Sequence, residues 1–443
     1  MNDIILEQEI EYSQENAKVA YDEGNFPLAK QIYEKLWEDS ERKSSFLLNH
    51  YGMSLRKNNE SDVFVQLCDE LSESGNFIFD KYVYSTQCRC IYDFIIKGYS
   101  DENKERFNDF ITRAEYIKDH SNQMKADKQF FTPYVMTIEK VIKTYNERTS
   151  KNYREILRWL SYLNPDILSE EVYKFQDETG REREKASSKE FYYQHITKAL
   201  EKTEEYKECI INCEMAFTQI TKFHYRNDRW IKARMYYCKC MVDVDVESAI
   251  MEYKDLAYKE NFWFMYHKLS QICFRYNKIQ DALLYASKAY CCSFENEKMV
   301  NLLLDTAVLW KAEGNMDNAK PYFQASAYYR TRQAWSIPEE LKYSIFIYEL
   351  DSEKKPDINL LKRIAENYVS RVEGQKNKEE GKVKMIFPHG MTGFIKPKAD
   401  GNDVYFNMKD VIKKPLTVGD SIEYELAKGN DDKIRAVRIT KRG

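Results

Sequence analysis

The sequence predicts a mostly α protein: an α-solenoid of paired helices, followed by a small five-stranded β-barrel. Two observations carry this. One helix-pair pattern occurs twice at identical offsets within residues 266–327, and after residue 380 the apolar period changes from 3.6 to 2. The first copy has Tyr266, Leu269, Ser270 and Cys273, the turn Asn277-Lys278-Ile279, then Ala282, Ala286 and Ala289. The second has Leu303, Thr306, Ala307 and Trp310, the turn Gly314-Asn315-Met316, then Ala319, Phe323 and Ser326. Three- and four-residue spacing gives each helix one face to bury. A small residue permits a close helix crossing, and Gly or Asn in the turn tolerates positive φ. One such pair cannot bury its face alone, so further copies are expected upstream.

The pattern resembles the tetratricopeptide repeat, with a small residue and an aromatic on the first helix and alanines on the second. That resemblance implies a protein partner held by the repeats, although no residue is singled out for it. Composition agrees: 14 Gly and 9 Pro in 443 residues are too few for a sandwich or barrel over most of the length. No apolar run approaches the roughly 18 residues of a membrane span, so no membrane partner is expected. The first nine residues lack the pattern of a signal peptide, and a cytoplasmic location is expected.

Taken in order, Ala17, Ala20, Gly24-Asn25-Phe26, Ala29, Tyr33 and Leu36 give a first repeat over 10–43, and a degenerate unit follows over 46–71. Residues 82–145 have helical period without the signature; Phe107, Phe110, Ile111, Ala114 and Ile117 form one face, and Tyr134, Ile138, Val141, Ile142 and Tyr145 another. A helix is expected over 153–168, broken by Asn164-Pro165. Residues 174–188 are polar and read as a surface excursion inside the array. The signature returns at Tyr193, Ile196, Leu200, Tyr206, Cys209, Cys213 and Ala216, and again at Trp230, Ala233, Tyr237, Ala249, Tyr253 and Leu256. Between them, Phe223 to Trp230 reads as an inter-repeat loop with packing aromatics; a functional reading would place Arg226, Asn227 and Arg229 on a ligand. The expected domains are a repeat array over 1–337, capping helices over 338–372, a linker over 373–380 and a barrel over 381–443.

Five alternating segments populate the tail: 382–387, 393–396, 403–408, 421–426 and 434–439. Turns at His389-Gly390, Asp400-Gly401 and Gly429-Asn430 separate them, which suggests an OB-type barrel. The tail carries 13 Lys and Arg against 8 Asp and Glu, a net of +5; the whole chain is −4, so residues 1–380 carry −9. The tail resembles a cold-shock domain in Gly381-Lys-Val-Lys, Gly393-Phe394-Ile395, 403–408, Leu416-x-x-Gly419-x-x-Ile422-x-Tyr424 and Ala436-x-x-Ile439. The resemblance implies binding of single-stranded RNA or DNA by base stacking. Phe394 and Tyr405 keep the family's rings. Met385 stands for Trp, Ile386 and Met408 for Phe, Thr392 for another Phe, and Asn407 for His. The residues expected to bind nucleic acid are Lys382, Lys384, Phe394, Lys396, Lys398, Tyr405 and Asn407. Helical repeats joined to such a tail also resemble a bacterial group found in conflict, or anti-phage, gene clusters.

No Gly-x₄-Gly-Lys-Ser/Thr, Gly-x-Gly-x-x-Gly or His-Glu-x-x-His is present, and the six histidines are dispersed. No enzyme activity, catalytic residue, metal or cofactor is expected. The ten cysteines read as reduced thiols packing as small apolar side chains. The expectation is an adaptor binding protein through the repeats and a single strand through the tail. Its alternatives are a pure interaction scaffold with a non-binding barrel, and an enzyme with a site between repeats.

Overall fold

The computed structural model describes residues 12–41, 43–100, 106–122, 124, 128–148, 150–177, 179–292, 297–376, 378–399, 401–411, 416–428 and 434–441. The readings of the first nine residues, of Asp400 and of the Gly429-Asn430 turn fall outside them. Among the described residues are eighteen α-helices and seven strands, in two compact units that divide between Asp245 and Val246.

The first unit opens with the expected helix pair, α1 (Gln14–Asp22) and α2 (Phe26–Asp39). Gly24 turns the chain at φ 81°, and Asn25 Oδ1 accepts the Leu28 N–H at 3.3 Å to start α2. Ala17, Ala20, Ala29, Ile32 and Tyr33 are buried. In α3 (Ser45–Lys57) and α4 (Ser61–Ser74), Gly52 lies against Phe64, whose ring occupies the space a Cβ would need. α5 (Lys81–Ile91) runs into one π-helical turn, Tyr92–Ile96. α6 (Phe107–His120) and α7 (Lys128–Glu147) bury the faces expected of them, with Phe107 and Ile111 half-buried at the edge.

α8 (Tyr153–Leu160) is shorter than the helix expected over 153–168. Pro165 has no N–H for the Ser161 carbonyl, so helix beyond Leu160 would lose a bond. The chain instead forms a 3₁₀ turn, Pro165–Ile167, opened by Asn164 Oδ1 accepting the Asp166 N–H at 3.0 Å. The surface excursion is a hairpin, β1 (Tyr173–Gln176) and β2 (Glu182–Lys185). Asp177 organises its turn. Its Oδ1 accepts from the Thr179 hydroxyl (2.6 Å) and the N–H groups of Thr179 and Arg181, and its Oδ2 accepts from Arg183 (2.8 Å). The Thr179 hydroxyl and Arg183 pull this carboxyl down to about 2. The unit continues with α9 (Ser188–Lys202), α10 (Tyr206–Gln219), a 3₁₀ turn, His224–Arg226, and α11 (Asp228–Met241).

The second unit starts with α12 (Val246–Glu260), then the two signature pairs: α13 (Trp263–Arg275) with α14 (Ile279–Cys291), and α15 (Val300–Ala312) with α16 (Met316–Arg332). Every position the two copies share on the helices is buried. Asn277 (φ 56°) and Gly314 (φ 78°) hold equivalent turn positions. Gly52, Ala233, Ala282, Ala307 and Ala319, small residues at the positions where the repeat pattern calls for close helix crossings, are all buried. α17 (Glu339–Ile347) and α18 (Ile358–Lys376) follow. α18 lies against α14 and α16: the Tyr368 hydroxyl donates to the Gln280 carbonyl at 3.3 Å and Tyr322 donates to the Leu361 carbonyl at 3.0 Å, while the Tyr368 ring meets Trp310 of α15 edge-on at 5.0 Å.

The linker expected over 373–380 does not stand free. α18 continues to Lys376, with Glu373 paired to Lys288 at 2.5 Å, and β3 (Lys378–Ile386) begins two residues later. Polar residues suffice here because Glu, Gln and Lys are good helix formers, and a strand's backbone pairing with β6 (Ser421–Lys428) needs no apolar side chain. With β4 (Thr392–Pro397), β5 (Val404–Asn407) and β7 (Ile434–Lys441), the strands close a barrel in the order β3-β4-β5-β7-β6. Val383, Ile395, Phe406, Ile422, Tyr424, Ala436 and Ile439 fill it. All ten cysteines are free thiols, eight buried and two half-buried.

Ala319→Leu should overpack the α15–α16 crossing and cost about 1–3 kcal/mol. A thermal melt reads this, and an unchanged midpoint would contradict the placement.

Candidate nucleic-acid interface

The outward face of β3, β4 and β5 gathers most of the residues expected to bind nucleic acid. On β4, Gly393 and Ile395 point inward while Phe394 and Lys396 point out; on β5, Phe406 points inward and Tyr405 out. Phe394 and Tyr405 are directly opposed across the two strands. Their rings meet edge to face, with centroids 5.9 Å apart at 72°, and Tyr405 is 38% exposed. Cross-strand ring pairs of this kind hold each other's orientation.

A β-bulge between Val383 and Met385 sets the third strand. Simple alternation would turn Met385 inward with Val383. The bulge instead pairs Val383 with Ile395 in the core and Met385 with Phe394 on the surface. Met385 therefore keeps a place beside the rings. Ile386 and Met408 pack against the barrel core instead. Gly393 makes the arrangement possible, since a Cβ there would meet the Met385 carbonyl oxygen and the Phe406 ring.

Two further rings extend the row, and sequence reasoning missed both as site residues. Phe387 meets Phe394 at 5.7 Å and 67°, and His389 stacks on Phe387 at 5.7 Å and 24°. The His389 ring is held by the Met391 N–H, which donates to Nδ1 at 3.1 Å, and by contact of Nε2 with the Thr392 hydroxyl at 3.3 Å. A ring from the turn thus stands beside Thr392. The signal was the pair Phe387 and His389 flanking Pro388, where a tight turn folds both rings onto one surface.

The lysines divide into two kinds. Lys384 is bonded to Asp403, and Lys398 to Glu380 at 2.6 Å, so neither presents a free charge. Lys382 and Lys396 are cross-strand neighbours, and among the described residues no carboxylate pairs with either. They line a cleft of about 290 Å³ with Gly381, Pro397, Ser421 and Ile422. Asn407 is committed locally: its Oδ1 accepts the Lys409 N–H at 3.0 Å and opens a 3₁₀ turn, Met408–Asp410.

The polar loop after α10 is held from within. The Glu190 carboxylate, 1% exposed, accepts from the His224 N–H at 2.9 Å and from Asn227 Nδ2 at 2.6 Å. Asn227 is thus spent on the fold. Tyr225 and Arg226 adopt φ of 41° and 60°, and the Tyr225 ring is left 74% exposed.

No family model matches the chain, and no curated protein matches it. Solved structures that resemble it include a tetratricopeptide repeat protein from Parabacteroides merdae ATCC 43184. It is 11% identical over 80% of this chain and 97% of its own, with a TM-score of 0.28. Another is a monomeric mutant of IFIT1 with Gppp-AAAA, 10% identical over 82% of this chain and 81% of its own, with a TM-score of 0.29. The helical-repeat architecture rests on the packing within the two units described above.

Gly393→Ala should force β3 and Phe406 apart and destabilise the barrel by about 1–3 kcal/mol. Hydrogen exchange of the β3–β5 amides checks this: protection equal to the parent protein's would rule out the close approach.

Proposed function

We propose that this protein is a non-enzymatic adaptor, cytoplasmic, that binds a protein partner through its helical repeats and single-stranded RNA or DNA through its barrel. The observation that carries the nucleic-acid reading is the opposed pair of half-buried Phe394 and exposed Tyr405, beside Lys382 and Lys396, which pair with no carboxylate among the described residues. A base stacks on any exposed ring, and each such contact contributes roughly 1–3 kcal/mol. Phe387 and His389 lengthen the row of rings. The ion pairs of Lys384 and Lys398 reduce the number of phosphates the face neutralises to about two, which fits binding near the micromolar range and little sequence preference. The bacterial-defence setting belongs to the same proposal and is supported by the resemblance of the paired architecture. The same two ion pairs, with Met385 in place of a ring, favour the second reading, a scaffold whose barrel binds no nucleic acid.

Titration of a labelled single-stranded RNA into the full chain at several salt concentrations separates the two. Phe394→Ala with Tyr405→Ala should weaken binding by about tenfold or more, from the lost stacking. Lys382→Ala with Lys396→Ala should reduce the slope of log K against log salt by about 1.4, at roughly 0.7 per phosphate contact. Lys384→Ala and Lys398→Ala should leave that slope nearly unchanged. Affinity indifferent to the ring pair would select the scaffold.

A further inference from the structure

The β1–β2 hairpin is built with its rings outward. Its register pairs Tyr173 with Lys185 and Phe175 with Arg183, so these four side chains share one face. The Tyr173 and Phe175 rings stack at 6.1 Å and 22°, and they are 65% and 41% exposed. A two-stranded hairpin has no core of its own to explain them.

Beside this face, cations gather on neighbouring helices. Lys185 reaches back to Glu139 of α7 at 2.5 Å, and that carboxylate also accepts from the Ser188 hydroxyl at 2.6 Å. The Lys143 and Lys185 amines both stand over the Phe191 ring, at 5.4 and 5.9 Å. One turn on, Asn146 bridges His195 Nδ1 and the Lys198 amine, each at 3.2 Å. Arg234 of α11 donates to the Thr197 hydroxyl at 3.3 Å and lies 3.9 Å from Glu201. Lys143, Lys185, Lys198 and Arg234 thus gather around Glu139 and Glu201, with Lys202 also 3.8 Å from Glu201, in the part of the chain that carries the negative net charge. The crowding is felt. Burial and then Lys185 push the Lys143 amine down to about 8, and burial followed by Lys151 and Arg234 does the same to Lys198. Burial, with Lys198 next, holds His195 down to about 3, so it adds no charge. Burial is the first cause in each case and a neighbouring cation the second, and it is this second contribution that an anion settling here would offset.

We infer that the first unit holds a second contact for single-stranded nucleic acid, made by the Tyr173–Phe175 face of the hairpin and by Lys143 and Lys198 beside it, with Lys185 and Arg234 held in their own ion pairs. Stacked exposed rings next to a cationic row are what bases and phosphates together require. An acidic peptide would satisfy the cations and leave both rings uncovered. The contact stands on residues separate from the barrel face, so either can fail alone.

The experiment uses the full chain with the barrel rings removed, Phe394→Ala and Tyr405→Ala, and a labelled single-stranded RNA. This chain should retain salt-dependent binding. Adding Tyr173→Ala and Phe175→Ala should weaken that residue of binding by about tenfold, and the exposed position of both rings leaves the fold intact. Adding Lys143→Gln and Lys198→Gln instead should lower the salt slope by about 1.4, with helical content checked by circular dichroism. Complete loss of binding in the barrel variant alone overturns the second contact and leaves the barrel reading standing. Residual binding indifferent to the hairpin rings and to the lysines overturns it as well. So does a labelled poly-glutamate that binds through these lysines while RNA ignores them.

Discussion

Everything in the helical part depends on how closely two helices can cross. A helix pair leaves one apolar face over, and only a neighbour that comes near enough can cover it. The crossings are therefore set by small side chains, and at several of them a polar atom is satisfied across the gap. Ser270 donates to the Ala282 carbonyl at 2.8 Å, and Ser326 to the Val300 carbonyl at 3.0 Å. In the other unit the Cys209 thiol donates to the Thr197 carbonyl at 3.2 Å. A buried hydroxyl left without such a bond would cost more than the contact contributes. Gly52 takes the same constraint to its limit, since the Phe64 ring lies where any side chain would begin.

That constraint is local and periodic, which is why the repeats could be read from sequence. Ser270 and Ala307 sit at matching offsets because both meet the same geometric demand. What escaped reading depended on backbone bonds that period does not encode. The helix after Tyr153 stops at Leu160, a full turn before the proline that stops it. The hairpin at 173–185 is held by the side chain of Asp177, in a stretch whose charges suggested only solvent.

The barrel shows the same division. Its strands were legible because inward and outward residues alternate. The bulge was not, since Val383-Lys384-Met385 alternates apolar and polar and looks as though Met385 points inward. Phe394 and Tyr405 were legible through the resemblance of the tail to cold-shock domains. Phe387 and His389 were not, because they join the row only through the turn that they themselves form. The loss of two lysines to ion pairs was equally hidden: Asp403 lies 19 residues from Lys384, and Glu380 lies 18 from Lys398. The lysine row on α7 and α9 escaped for the same reason, since residues some fifty positions apart meet only when the helices pack.

The closed seam between β3 and β6 has a consequence for how the chain reaches its structure. The Tyr424 hydroxyl bonds to Glu379 across 45 residues, whereas Ser270 finds Ala282 across 12. Helix pairs with such short separations form early and largely independently, because little chain entropy is lost in bringing their partners together. The barrel is different: the local β3–β4–β5 meander leaves the second edge of β3 and the core uncovered until β6 arrives, and the outer edge of β5 waits for its parallel neighbour β7. Two kinetic regimes are thus joined in one polypeptide. The helical pairs assemble step by step, and the barrel closes in one slower event. Until then the apolar side of β4 and β5 is an open surface, and it is in that interval that the chain is most liable to pair with a copy of itself.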